Sequence, residues 1–503
     1  MIDSIFKRLY ITYRIRINNK GEFCFSPSST MTLFCKPELS LSGGVLRLLS
    51  TMSTAGLLVV PVIFRDEGLL RGILLTASIA MLSLLALLLQ AQSIRYVPLR
   101  YASYFTLSQI TSPSLAILFD ISIALKGFLS CVIELIVIRE LLPNIETSNK
   151  PFPVNILLHK QFILGFLTFF LMGPLCWLNG NGLFKYLTRS TIGVVASLMV
   201  VLSYYSVVSP TSRNEDILAT NTDNILKHPT IFNAVAILLF VFGCQHSMFG
   251  VINEQRDKLY SCVKHIAYLT VSCQVAVVLT ICASAYLTFG TTIQDNILNN
   301  LHNSFPVIVL KMAFIFLMVI TFPYQCYAQR AAFHRIYNWS TTSQKEDEEY
   351  AQSAYGHARN SDASTGNVVI SETTPLLMCE GHTIPIEELV EEGSVRQFDI
   401  RHISDTTYTI MTVAIVIFAY GFTLLNVSLI ELVVVIGSTS SVLMSFVLPG
   451  LFAYRLVGSE YDCYRNKMPF LTSFYKNMGL FLAVFGILII TTFLVFILPF
   501  DVI

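Results

Sequence analysis

The chemistry this chain can do is concentrated where polar groups interrupt apolar runs. Between Ala236 and Glu254 a stretch that begins as a lipid-compatible helix is broken by Phe242, Gly243, Cys244, Gln245, His246 and Ser247. An unpaired backbone or imidazole group in hydrocarbon is costly, so such a break persists only where protein or a water-filled cavity satisfies it. An earlier apolar run carries a second break, from Ser50 through Ser53, Thr54, Ala55 and Gly56. Unwound segments free carbonyls and amide N–H groups, and half-helix ends present partial charges. Two such breaks suit a zwitterion, an amino acid for example, whose carboxylate and ammonium they would hold with few full charges on the protein. The competing reading is that Ser and Thr back-bond within straight helices.

Three further groups stand out. His246 is either a proton carrier, since imidazole titrates near neutrality, or a neutral hydrogen-bonding residue in the break. Glu134 lies in an apolar run between Lys126 and Arg139. An intramembrane carboxylate is a candidate for coupling, and its alternative is a structural ion pair with Lys126, Arg139 or Lys311. Pro323 frees a carbonyl in a later run, and Thr321 beside it is a candidate ligand for substrate or a small cation. No nucleotide-binding glycine loop, nucleophile elbow or paired Cys/His metal spacing occurs, so no ATP, catalytic residue, metal or other cofactor is expected.

The elements that must position these groups follow from composition. With 54% hydrophobic and 13% charged residues and a mean hydropathy of +0.63, the chain is expected to be an all-α polytopic membrane protein whose main partner is the lipid bilayer. Its net charge of +1 argues against a nucleic-acid surface. Runs of about 20 apolar residues fall at 43–64, 70–93, 114–142, 161–179, 186–208, 230–252, 264–288, 305–328, 406–427, 430–455 and 476–499, which predicts eleven transmembrane helices. The breaks then lie in the first and sixth, five apart, the correspondence a five-plus-five inverted repeat requires. Most lysines and arginines outside the runs fall on the side of the N-terminal tail, which places the N-terminus in the cytosol and the C-terminus across the membrane.

Four regions result: a basic cytosolic tail at 1–42, helices one to eight at 43–328, an acidic cytosolic insertion at 329–404, and helices nine to eleven at 405–503. The first apolar run begins near Gly43, so no early signal peptide is expected. None of the eleven cysteines falls in a far-side loop, so no structural disulfide is expected. The insertion is rich in Gln, Ser, Thr, Asp and Glu and is expected to be disordered. In it, Glu372, Leu376 and Leu377 fit an acidic dileucine pattern that would dock a sorting adaptor, or are plain solvated linker.

With these residues on the page, the chain resembles the amino acid/auxin permeases. Ser53 to Pro61 followed by Phe64-Arg65-Asp66-Glu67-Gly68 is similar to their opening signature, and the match continues through Phe242 to Phe249, Tyr286 to Gly290, Phe322-Pro323 and Leu448 to Phe452. Leu88-Leu89-Gln90, Tyr96-Val97-Pro98, Ala102 to Phe105 and the late acidic loop are similar to the fungal vacuolar amino acid transporters. The resemblance implies the inverted-repeat fold and proton-coupled movement of amino acids across the vacuolar membrane, from lumen to cytosol. It makes the substrate and protons the small-molecule partners and puts the C-terminus in the lumen. Thr54 stands where the family usually has glycine, Gln245-His246-Ser247 where His-Gln-Asn or His-His-Asn is common, and Ile133-Glu134 where a Ser-Tyr pair is usual. Sodium-coupled relatives place an asparagine at the position of Ser50, while Thr321 matches their eighth-helix threonine. The alternative function is an amino acid sensor that binds substrate and signals through its cytosolic segments.

Overall fold

The computed structural model describes residues 39–96, 103–112, 116–142, 156–177, 181–208, 228–255, 260–341, 376–379, 382–385, 405–425, 427–459 and 469–497. Helix α1 (Leu41–Met52) starts where the Ser40 hydroxyl oxygen accepts the Gly43 N–H at 3.3 Å, an N-cap that satisfies one otherwise free donor. Past the first break come the short α2 (Gly56–Val59) and the long α3 (Pro61–Ser93). Gly68, inside α3, has φ 77°, a left-handed conformation that a Cβ disfavours, and it separates the end of the first apolar run from the second. Next are α4 (Tyr104–Thr111), α5 (Ala116–Leu141) and α6 (Ile156–Phe166), the last continuing through a π-helical stretch, Leu167–Met172, and one turn, Gly173–Leu175.

After α7 (Asn181–Val208), α8 (His228–Val241) and α9 (Gln245–Glu254) flank the second break. They are followed by α10 (Tyr260–Phe289), α11 (Ile297–Asn300) and α12 (Phe305–Thr341). The membrane part closes with α13 (Asp405–Thr423), α14 (Leu429–Ile436), two π-helical stretches (Gly437–Ser441 and Leu443–Val447), α15 (Leu448–Leu456) and α16 (Phe470–Thr492). Ser428 and Glu431 form a capping box that fixes the start of α14.

Among the described residues, nine helical runs are long and apolar enough to cross a membrane. Two of the eleven expected runs are not among them. The first break leaves α1 with 12 residues, and the helix of the run expected at 161–179 begins at Ile156 and ends at Leu175. The helix end expected near 328 moves to Thr341. Polar residues that read as the start of a loop are satisfied against neighbours instead. Arg330 is fully buried, donates to the Cys176 carbonyl at 2.9 Å and the Thr412 hydroxyl at 3.0 Å, and stacks 4.2 Å from the centre of the Tyr408 ring. Arg335 meets Asp120 of α5 at 2.6 Å.

Burial sorts the helices into a centre and a rim. The runs Ile117–Leu141, Ile231–Glu254 and Leu429–Leu456 are mostly buried, whereas Thr188–Val208, Thr406–Thr423 and Phe470–Val495 are buried over only a minority of their length. The exposed positions carry large apolar side chains such as Val207, Phe418 and Phe470. A contiguous apolar outer surface of this kind is what lipid requires and water does not tolerate. In the centre, α14 passes α8 with backbone against backbone: a Cβ built on Gly437 would lie 2.0 Å from the Ala236 carbonyl oxygen. Glycine is the residue that permits this approach.

Between α12 and α13 the described residues form one antiparallel pair, β1 (Leu376–Cys379) and β2 (His382–Pro385), with Leu376 opposite Pro385 and Cys379 opposite His382. Leu376 and Leu377 of the dileucine pattern therefore lie on β1, while Glu372 and most of the 329–404 insertion, like the tail before Leu39, lie outside the described residues.

Candidate functional site

The first break begins where α1 stops. Ser53 caps it with φ −97° and ψ 59°, its N–H bonded to the Leu49 carbonyl at 3.0 Å, and Thr54 and Ala55 then turn the chain. The chain re-enters helix when the Leu57 and Leu58 N–H groups find the carbonyls of Thr54 and Ala55, both at 3.1 Å. In the second break, Gly243 N–H reaches the Phe240 carbonyl at 3.3 Å and the chain passes through Cys244 before α9 starts. The two breaks pack on each other: a Cβ on Gly56 would come 2.9 Å from Val241 and 3.0 Å from the Phe240 ring.

Both breaks face one cavity. Thr54 and Ala55 line it from the first, Gly243 and His246 from the second, with Arg47, Ser50 and Thr51 of α1 at one end. Helix α5 contributes Lys126, Ser130, Ile133 and Glu134, α7 contributes Thr188 and Thr191, and α12 contributes Thr321, Tyr324 and Gln325. The space open to the centres of water-sized spheres is about 50 Å³, enough for about three or four waters. Polar side chains reach it from α1, α5, α7, α9 and α12, between apolar patches from Ala55, Ile133 and Phe240.

Lys126 ties α5 to the second break. Its ammonium donates to the Gly243 carbonyl at 3.2 Å and lies 3.1 Å from His246 Nδ1. His246 Nδ1 is also 3.1 Å from the Gly243 carbonyl. The carbonyl freed by the break is thus satisfied by a cation from another helix, which stabilises the unwound conformation.

Glu134 sits two turns further along the same face of α5, about 12 Å from Lys126 by helical rise. It is 3% exposed, borders Thr321, and its Oε2 has no hydrogen-bond partner among the described residues. The structural ion pair expected for it is not made, because each candidate cation is engaged elsewhere. Lys126 is held at the second break, Arg139 donates to the Thr423 carbonyl at 2.7 Å, and Lys311 donates to Asn303 at 2.8 Å.

The other residues singled out in the sequence divide into two sets. Ser50 and Thr321 reach the cavity, and both hydroxyls donate back to their own helices: Ser50 to the Arg47 carbonyl at 2.8 Å, Thr321 to the Leu317 and Met318 carbonyls at 3.1 Å. Ser53, Gly56, Phe242, Cys244 and Gln245 do not line it. The Ser53 hydroxyl donates to Gln274 of α10 at 3.0 Å, and the Phe242 carbonyl accepts from Ser83 at 3.0 Å. Cys244 is fully buried at the start of α9, and Gln245 turns away from the cavity to donate to the Ser83 hydroxyl at 2.9 Å. Lys126 was expected as a candidate partner of Glu134 and not as a site residue, and it lines the cavity bonded to Gly243. The signal for it was present: Lys126, Ser130 and Glu134 recur every four residues, a polar stripe on an otherwise apolar helix.

Ion pairs flank the site along the first run. Arg47 pairs with Glu254 at the end of α9, tying the two half-helices together on one side. Past the break, Arg65 meets Asp66 at 2.7 Å, the Ile293 carbonyl at 2.7 Å and Asp295 at 3.8 Å.

With this geometry, a pair of helix breaks around one cavity, on the page, the comparison with known proteins gives the family. Residues 38–492 match the family of transmembrane amino acid transporter proteins. The chain belongs to that family. It is 30% identical over 466 residues to vacuolar amino acid transporter 6 of Saccharomyces cerevisiae, covering 90% of this chain and 97% of that protein. Vacuolar amino acid transporter 5 of the same organism is 27% identical over 458 residues, covering 89% and 95%. Vacuolar amino acid transporter 5 of Schizosaccharomyces pombe is 24% identical over 446 residues, covering 88% and 90%. The family assignment spans both breaks and every residue of the cavity.

Proposed function

We propose that the protein is a proton-coupled secondary transporter that moves amino acids across the vacuolar membrane from lumen to cytosol. The observation that carries this reading is that two helix breaks, far apart in sequence, face one cavity holding a half-buried ammonium and a buried carboxylate with an unpaired oxygen. The relatives, all named as vacuolar amino acid transporters, supply the substrate class and the membrane. In this reading the α-carboxylate of the substrate docks beside Lys126 and the amide groups opening α9, while the α-ammonium meets the second lone pairs of the Thr54 and Ala55 carbonyls. Glu134 takes the coupling proton, and His246 relays charge between Lys126 and the cavity.

The topology follows the charge bias of the loops: eleven helices in a five-plus-five repeat, the N-terminus cytosolic and the C-terminus lumenal. The Arg47–Glu254 pair then closes the cytosolic end, and the Arg65 cluster lies toward the lumen. Transport alternates access by rocking the broken helices against the scaffold of α5, α10 and α12. Ser50 and Thr321 hydroxyl oxygens remain candidate cation ligands, and Leu376 and Leu377 a candidate adaptor site. Uptake of labelled amino acids into liposomes holding the purified protein, with and without a pH gradient, tests the proposal. Gradient-stimulated flux of at least one amino acid is expected, and absence of flux for every amino acid refutes it.

A further inference from the structure

The unpaired oxygen of Glu134 has a consequence for which amino acids the cavity accepts. A carboxylate buried to this extent, with one oxygen unpaired, calls for a neutralising charge, because the loss of hydration in a low-dielectric interior is otherwise not offset. The cations that might have neutralised it from within the protein are held elsewhere: Lys126 by Gly243 and His246, Arg139 by Thr423, Lys311 by Asn303. The titratable groups facing it are the thiols of Cys131 and Cys176, with Lys126, His246, Arg47 and Tyr324 elsewhere around the cavity. Its neutralising charge therefore arrives through the cavity.

We propose that Glu134 is a seat for one positive charge per transport cycle, occupied either by a proton or by the side-chain cation of a basic amino acid. This rests on the transport function proposed above and names a substrate class for it. A neutral amino acid crosses with Glu134 protonated. The proton joins a carboxylate oxygen on the acidic side and leaves it on the other, so one net charge moves with an uncharged zwitterion. A lysine-like substrate places its α-carboxylate at Lys126 and runs its four-carbon stem along α5 to Glu134. Its own net charge then replaces the proton, and again one charge crosses. The eight-residue offset between Lys126 and Glu134 on a single helix face sets up this two-ended recognition.

The experiment uses the full chain in liposomes, with alanine and lysine as probes and internal pH and imposed voltage as readouts. For the native protein, alanine flux carries about one proton per molecule, lysine flux carries none, and both respond alike to voltage. Lysine uptake also weakens as the pH on its own side falls, approaching about tenfold per pH unit where proton and substrate compete for one group. Glu134→Gln is expected to abolish the proton movement and voltage response that accompany alanine flux, and to lower lysine flux about a hundredfold. Protons moving stoichiometrically with lysine, no transport of basic amino acids by the native protein, or lysine flux within threefold of native in Glu134→Gln each overturns the inference. All three leave alanine transport, and with it the proposed function, standing. Should Glu134→Gln fail to fold, the proton stoichiometries of the native protein decide alone.

Discussion

Replacing Lys126 by methionine keeps the length and bulk of the stem and removes the ammonium that bridges α5 to the second break. In the native protein that ammonium lies 3.2 Å from the Gly243 carbonyl and 3.1 Å from His246 Nδ1, and Nδ1 is itself 3.1 Å from the carbonyl. One ring nitrogen does not accept from Lys126 and donate to Gly243 at once. With Lys126 charged, Nδ1 accepts and the ring proton sits on Nε2. In Lys126→Met, Nδ1 takes the proton and donates to Gly243, so the carbonyl stays paired and the tautomer changes. A charge-assisted bond of about 1.5–3 kcal/mol gives way to a neutral one of about 1 kcal/mol, so the fold loses only about 1–2 kcal/mol. Substrate binding loses the ion pair with the α-carboxylate, about 2–3 kcal/mol, or roughly a 30- to 150-fold rise in the KM for alanine. Flux kinetics in liposomes measure the KM, and 15N spectra of labelled histidine report the tautomer. Because the two residues share one acceptor, Lys126→Met and His246→Ala are expected to be non-additive by about 1 kcal/mol or more. A KM within threefold of native, or additivity of the two substitutions, refutes the argument.

Other perturbations probe the frame around the cavity. Exchanging charges singly at Arg47→Glu or Glu254→Arg breaks the pair tying α1 to α9, worth about 1 kcal/mol at this partial exposure. It is expected to raise labelling of a Ser50→Cys reporter from the tail side about fivefold, and the double exchange restores protection. Gly437→Ala drives a methyl group to 2.0 Å from the Ala236 carbonyl oxygen, and Gly193→Ala meets nothing within 4 Å. The first is expected to destabilise by at least about 1–3 kcal/mol and the second to be neutral or mildly stabilising, read as opposite shifts in thermal midpoint. Gln245→Ala removes the donor to Ser83 behind the break, and is expected to lower stability by about 1–2 kcal/mol while leaving the KM within about threefold.

Both helix breaks were legible in the sequence because a glycine, hydroxyls and an imidazole in an apolar run have no place against lipid. Their partners were not. Gln245 and His246 are neighbours in the chain, and the turn of about 100° per residue sends one to α3 and the other into the cavity. Lys126 and Glu134 visibly share a helix face, but which cation neutralises which group depends on what crosses α5, and the atom that claims Lys126 belongs to Gly243. The π-helical turn at Leu167–Met172 gave no warning either, since it changes hydrogen bonding without changing composition. Helix α12 outran the apolar stretch expected at 305–328 because Arg330 and Arg335 found acceptors on other segments, and nothing local encodes those acceptors.

The meeting of Gly437 with Ala236 has a mechanical meaning. With no side chain between the two backbones there is no compressible layer, and the contact acts as a fulcrum: α8 can tilt about it but not slide across it. Gly243 lies seven residues beyond Ala236, a lever arm of about 10 Å. A tilt of about 10° at the fulcrum then swings the Gly243 carbonyl by about 2 Å, enough to lift it off the Lys126 ammonium. A bearing made of bare backbone thus converts a small rocking of the bundle into the making or breaking of one charged contact in the cavity.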